Sequence, residues 1–131
     1  MIDFKFSNTS LQRMEGVDRR LVAIAHRALR LTPFDFGIPA SGGLRTAYQQ
    51  KELFDEGLSQ LDGYSKKSYH QTGKALDFFA YTTDGKATWD EYHLAMVAAA
   101  FLQAASELGY KLEWGGLWTS FKDYPHIQLV E

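Results

Sequence analysis

Residues 92–108 form an alanine-rich run that Gly109 closes, and no other feature limits the fold of this chain as firmly. Alanine loses no side-chain entropy in a helix, and glycine takes the left-handed backbone that ends one. The run is therefore a predicted helix, with Thr88 and Glu91 at capping-box spacing ahead of it. Strands are predicted on both sides: over 75–81 before the helix, and over 110–114 and 126–130 after it, with a turn at 82–86.

Upstream, Met14, Val17, Leu21, Ile24 and Leu29 recur at helical spacing, which predicts a single opening helix from Leu11. Phe34, Phe36 and Ile38 alternate with Asp35 and Gly37 and predict a strand that Ser41, Gly42 and Gly43 break. A second helix is expected over about 47–56, stopping near Gly57, and 57–68 reads as an exposed loop. The mixture predicts an α+β fold with a largely antiparallel sheet flanked by helices. With 131 residues there is room for one hydrophobic core and too little for two, so residues 1–131 are read as a small single domain.

Composition works mainly by exclusion. A hydrophobic fraction of 45% and a charged fraction of 23% suit an ordinary packed domain. The net charge of -2, without long basic runs, gives neither nucleic acid nor an anionic membrane a reason to bind. No span approaches the roughly 20 apolar residues that membrane insertion needs. With no cysteine, disulfides and thiolate zinc sites are excluded, so any metal must be held by His, Asp or Glu. Residues 1–10 mix Asp3 and Lys5 with Phe4 and Phe6 and read as lacking a signal peptide.

Two segments carry chemistry. In Ser68-Tyr69-His70-Gln71-Thr72-Gly73-Lys74-Ala75-Leu76-Asp77 an imidazole and a carboxylate flank a glycine that can bend the backbone and bring them together. Alone, that pair fits a structural hydrogen bond better than a metal site. Asp123-Tyr124-Pro125-His126 adds a second imidazole with a carboxylate three residues ahead of it. Two histidines and a carboxylate make a catalytic zinc set, because the fourth position stays open for water. A base must then take the water's proton. Asp123 is the favoured base, since Pro125 stiffens the backbone between it and His126, although it fits the opening of a turn equally well. Glu113, at the end of a predicted strand, is the reserve base. Arg45 follows a flexible turn and carries a fork suited to a substrate carboxylate or an oxyanion, while an isolated arginine reads also as a surface charge. Trp114 and Trp118 read either as core aromatics or as a platform at the substrate edge. His26 and His93 fall in predicted helices and are left out of the site.

Ser68-x-His70-x-x-Gly73-x-Ala75-x-Asp77 followed by Asp123-x-Pro125-His126 resembles the zinc D-alanyl-D-alanine carboxypeptidases and the L-alanyl-D-glutamate endopeptidases of phage lysins, the VanY-like peptidases. Gly43-x-Arg45-Thr46 and Trp114-Gly115-Gly116-x-Trp118 are similar to elements of the endopeptidase branch, so the likeness covers about 41–129. It implies Zn2+ held by His70, Asp77 and His126 at the sheet face, Asp123 as general base and later proton donor, Arg45 orienting substrate or stabilising the oxyanion, and Ser68 supporting the edge. Asp123 stands where the D,D-peptidases commonly carry Glu, which leans toward the lysin branch. Leu44 replaces an aromatic before the arginine, and Ile127 replaces Phe after the histidine.

The resemblance implies a phage endolysin that cuts peptidoglycan stem peptides at the L-alanyl-D-glutamate bond. Two rivals stand beside it: a D,D- or L,D-carboxypeptidase on the same fold, and a non-catalytic zinc or wall-binding module. The expected partner is the stem peptide, met by a monomer with no separate wall-binding domain. A lysin of this kind stays in the host cytoplasm until a separate holin-type protein opens the way to the periplasm and cell wall.

Overall fold

The computed structural model describes residues 3–131. Met1 and Ile2, which open both the stretch read as lacking a signal peptide and the span assigned to one domain, lie outside the described residues. The predicted opening helix is two helices, α1 (Asn8–Arg13) and α2 (Arg19–Leu31). Between them Gly16 takes a φ of 80°, and the Asp18 carboxylate restarts the helix by accepting from the Arg20 N–H. The apolar spacing runs through the break because Met14 and Val17 still reach the core.

The alanine-rich helix forms as α4 (Glu91–Leu108), ended by Gly109 at a φ of 82°. Its cap differs from expectation. Asp90 accepts from the His93 N–H, and Thr88 instead accepts from the Asp90 N–H. The middle helix, α3 (Ala47–Asp55), begins with a Thr46–Gln49 capping box.

The predicted strand over 75–81 splits into β2 (Ala75–Asp77) and β3 (Phe79–Tyr81), which join different sheets. The chain crosses between them at Phe78, which is fully buried. The strand over 34–38 shortens to β1 (Phe36–Gly37), which pairs with β3, and β3 pairs in turn with β4 (Ala87–Thr88). β2 pairs with β6 (His126–Leu129), which lies beside β5 (Leu112–Trp114). The α+β class and antiparallel pairing agree with the expectation, with the strands divided between two three-stranded sheets.

α2 and α4 pack together and bury Leu21, Ile24 and Ala28 with Val97, Phe101 and Ala104. The Phe101 ring lies 4.9 Å from that of Phe36 and 5.1 Å from that of Phe78, so one residue of α4 joins the first sheet to the crossover. Burial of each such ring is worth roughly 1.5–3 kcal/mol.

A polar clamp fastens the site-bearing segment to this core. The Asp18 N–H donates to the Gly73 carbonyl at 2.9 Å, and the Asp18 carboxylate accepts from Arg20 and Lys74. Glu131 at the C-terminus pairs with the same two cations.

Candidate metal centre

Ser68 begins the site. Its hydroxyl caps a 3-10 turn (Tyr69–Thr72) by accepting from the His70 N–H, and the Gln71 side chain returns a bond to the Ser68 N–H. The turn drives His70 inward, where it is 2% exposed. Gly73 then takes a φ of 73°, and a Cβ there would lie 2.8 Å from the Gly16 carbonyl oxygen. Both the left-handed backbone and the close packing therefore require glycine. The chain straightens into β2, where Asp77 stands in register opposite His126 of β6. Directly opposed residues of antiparallel strands share a face, so strand pairing itself joins the two chemical segments.

Asp77 Oδ1 lies 3.2 Å from His70 Nε2 and 3.2 Å from His126 Nδ1. A contact on the far side of each ring orients it, and for His70 that contact fixes the tautomer. His70 Nδ1 is 2.9 Å from the Gly43 carbonyl, which can only accept, so the proton sits on Nδ1 and Nε2 presents a lone pair. That Nε2 is buried and has no hydrogen-bond partner among the described residues. His126 Nε2 lies 2.8 Å from the Gln128 side-chain amide, and Nδ1 faces Asp77. Two imidazole nitrogens and a carboxylate oxygen thus converge, an arrangement suited to a cation. Bonds of about 2.0–2.1 Å to a tetrahedral zinc place ligand atoms roughly 3.3 Å apart, close to the spacing here. The donor set fits a metal ion.

Electrostatics agree. Burial acts to raise the Asp77 carboxyl, but the two imidazoles beside it hold it well below the usual carboxylate range. Burial acts to lower His126, and its hydrogen bond to Asp77 more than offsets this, so a proton and a cation compete for Nδ1.

Asp123 sits beside the ligands without joining them, its Oδ2 3.9 Å from His126 Nδ1. Gly115 makes this placement possible: a Cβ there would come 2.4 Å from the Asp123 carbonyl oxygen, and the Asp123 N–H donates to the Gly115 carbonyl. Burial, and then the charge of Asp77, push the Asp123 carboxyl above its ordinary value. Glu113 is placed otherwise. Its carboxylate accepts from the Trp118 indole N–H, and it does not line the cleft. Trp118 stands 5.3 Å from the His126 ring as part of the cleft wall. Trp114 donates to the Tyr124 carbonyl at 2.7 Å and packs against the core, away from the substrate edge expected for it.

Arg45 lines the cleft and is also held by the protein. Its Nε donates to the Ser41 carbonyl, Nη1 to Gln50 Oε1 at 3.1 Å, and Nη2 to Asp77 Oδ2 at 3.0 Å. Each nitrogen already has a protein acceptor, and the side chain is 12% exposed. His26 packs edge-on against Phe6 and His93 bonds Asp90, both apart from the ligands.

Gln50 and Gln128 belong to the site and were not among the expected residues. Gln128 lies two positions after His126 on a strand, hence on the same face, and that spacing was a usable signal. Gln50 carries no such signal, because a buried glutamine interrupts no periodicity that would point to it.

A cleft of about 380 Å³ opens over the three ligands, walled by Leu58, Leu61, Ser68, Tyr69 and Trp118. A second cavity, which shares Leu58, Ser59, Leu61, Trp118 and Asp123 with it, lies between the 57–61 and 118–123 loops. No helix among the described residues is long and apolar enough to cross a membrane.

Residues 2–130 match the sequence model of a family described as phage L-alanyl-D-glutamate peptidase. The L-alanyl-D-glutamate peptidase of Escherichia phage T5 is 40% identical over 124 residues, covering 94% of this chain and 88% of the relative. The peptidoglycan L-alanyl-D-glutamate endopeptidase CwlK of Bacillus subtilis (strain 168) is 35% identical over 98 residues, or 67% of this chain and 58% of CwlK. Among solved structures, the Serratia marcescens L-Ala D-Glu endopeptidase ChiX superposes with a TM-score of 0.84 at 36% identity, covering 98% of this chain and 91% of ChiX.

Proposed function

This chain belongs to the phage L-alanyl-D-glutamate peptidase family, and on that basis we propose that it hydrolyses the L-alanyl-D-glutamate bond of peptidoglycan stem peptides, with zinc held by His70, Asp77 and His126. The observation that carries this reading is the convergence of two imidazole nitrogens and one carboxylate oxygen at the floor of a cleft. Bound there, zinc supplies a lowered water pKa and polarisation of the scissile carbonyl.

The protein's own groups do the rest. Asp123 takes the proton of the attacking water and returns it to the leaving D-glutamate nitrogen, a role suited to a carboxyl raised above its ordinary pKa. Gly43 and Gln128 hold both imidazoles in the orientations that ligation needs. Ser68 keeps His70 in place through the turn it caps, and Trp118 closes the side next to His126.

A carboxypeptidase needs a cation for the terminal carboxylate, and three of the five N–H groups of Arg45 are already directed at protein acceptors. A second cavity beside the ligand cleft shares Leu58, Ser59, Leu61, Trp118 and Asp123 with it and gives an extended substrate room beyond the metal ligands. These features favour the endopeptidase. In this reading the enzyme works as a monomer. It is held in the host cytoplasm until a holin-type protein admits it to the periplasm and wall. Digestion of purified sacculi with and without a chelator, read by mass, tests the bond and the metal together.

A further inference from the structure

Gln50 is 0% exposed although nothing in the hydrolysis above uses it. Its amide orientation is unambiguous, because Arg45 can only donate and the Leu61 carbonyl can only accept. Gln50 Oε1 accepts from Arg45 Nη1 at 3.1 Å, while Nε2 donates to Ser59 Oγ at 2.9 Å and to the Leu61 carbonyl at 2.8 Å. Arg45 in turn donates to Asp77 Oδ2, the oxygen that does not face the imidazoles. A continuous path of hydrogen bonds therefore runs from one wall of the cleft to a metal ligand. Two residues beyond this wall the chain is tied to the His70 turn, since Gln71 Nε2 donates to the Gly63 carbonyl.

Resting on the proposed zinc peptidase reading, we propose that Gln50 is a positioning residue for the reaction: it aims Arg45 at Asp77 and couples the aim of that ligand to the 59–61 wall of the cleft. A long guanidinium has many rotamers, and one fixed acceptor on Nη1 selects the rotamer that leaves Nη2 on Asp77. Partners of metal ligands typically change metal affinity by about 10–100-fold when removed. The two ends of the Gln50 amide do different work, so they can be separated. Gln50→Glu keeps an acceptor for Arg45 and removes both donations to the wall. Gln50→Leu removes everything.

The experiment is zinc competition against a chromophoric chelator on the apo full-length chain, with the visible spectrum of the cobalt-loaded protein and the kcat and KM of stem-peptide hydrolysis. Gln50→Leu should lose about 10–100-fold in zinc affinity, shift the cobalt bands and lower kcat. Gln50→Glu should stay within about 3-fold of the wild-type zinc affinity while KM rises, because the wall is untied and Arg45 is not. Wild-type zinc affinity and cobalt bands in Gln50→Leu, with only a lower Tm, would overturn the proposal by leaving Gln50 a purely structural residue. Should Gln50→Leu not fold, Gln50→Glu decides alone: retained zinc affinity with raised KM supports the coupling, and zinc affinity lost together with the cobalt spectrum overturns it. Failure of the wild-type chain to bind zinc would strike the peptidase reading instead, so the two failures are distinguishable.

Discussion

His126 Nε2 lies 2.8 Å from Gln128 Oε1, and that contact decides which imidazole nitrogen faces Asp77. Gln128 is two residues farther along the same strand, so the ligand and the group that orients it are placed by one element. Gln128→Leu leaves His126 free to rotate and to exchange tautomers. Zinc affinity should drop by about 10–100-fold with the fold retained, as read by chelator competition and circular dichroism. Gln128→Glu, which keeps an acceptor at that place, should recover most of the loss.

Asp123 and Glu113 separate cleanly as candidate bases, because one lies 3.9 Å from a ligand atom and the other is occupied by the Trp118 indole. Asp123→Asn should keep zinc and lose about 10²–10⁴-fold in kcat. Glu113→Gln retains an acceptor for Trp118 and should change kcat by less than about 3-fold. Single-turnover rates together with metal content check both. A collapse in Glu113→Gln with normal turnover in Asp123→Asn would exchange their roles.

Metal removal should loosen the protein as well as silence it. On the proposed reading zinc binds the folded chain and holds together two segments that otherwise meet through short strands, so free zinc at 1,000 times Kd should add about 4 kcal/mol of stability. Calorimetry should show Tm rising with added zinc in the wild-type chain and staying flat in His70→Ala, which lacks a ligand.

The clamp at Asp18 gives a pH signature away from the cleft. Hydrogen bonds from Arg20 and Lys74 hold the Asp18 carboxyl far below its ordinary value. A depressed carboxylate stabilises the folded state above the unfolded pKa, about 3.9, and that contribution is lost as pH falls through the folded-state value. Asp18→Asn still caps α2 but carries no charge. It should therefore be less stable than wild type by about 1 kcal/mol at pH 7, with the gap closing as the pH drops below about 3.9. Urea unfolding at several pH values measures it.

Much of this site was legible in the amino-acid sequence, and the reasons differ by residue. His70, Asp77 and His126 announce themselves because ligand chemistry restricts residue type, and Gly73 because only glycine suits its backbone and its packing on Gly16. The helix over 92–108 was readable from local propensity. Its cap was not, since Thr88 and Asp90 both offer capping side chains and only packing selects Asp90. The division of 75–81 into two sheets was hidden because buried strands on either side of a crossover read as one apolar run. Arg45 illustrates the remaining limit. Its guanidinium suits substrate carboxylates and protein carboxylates alike, and the choice rests on Gln50 and Asp77, which lie 5 and 32 positions away.

The most direct test of the central claim is mass analysis of fragments released from purified Gram-negative sacculi, with and without a zinc chelator. The account predicts muramyl-linked L-alanine ends and free D-glutamate amines, abolished by chelation and restored by zinc. Release of terminal D-alanine from otherwise uncut stems, or sacculi left intact by the zinc-loaded protein, would contradict it.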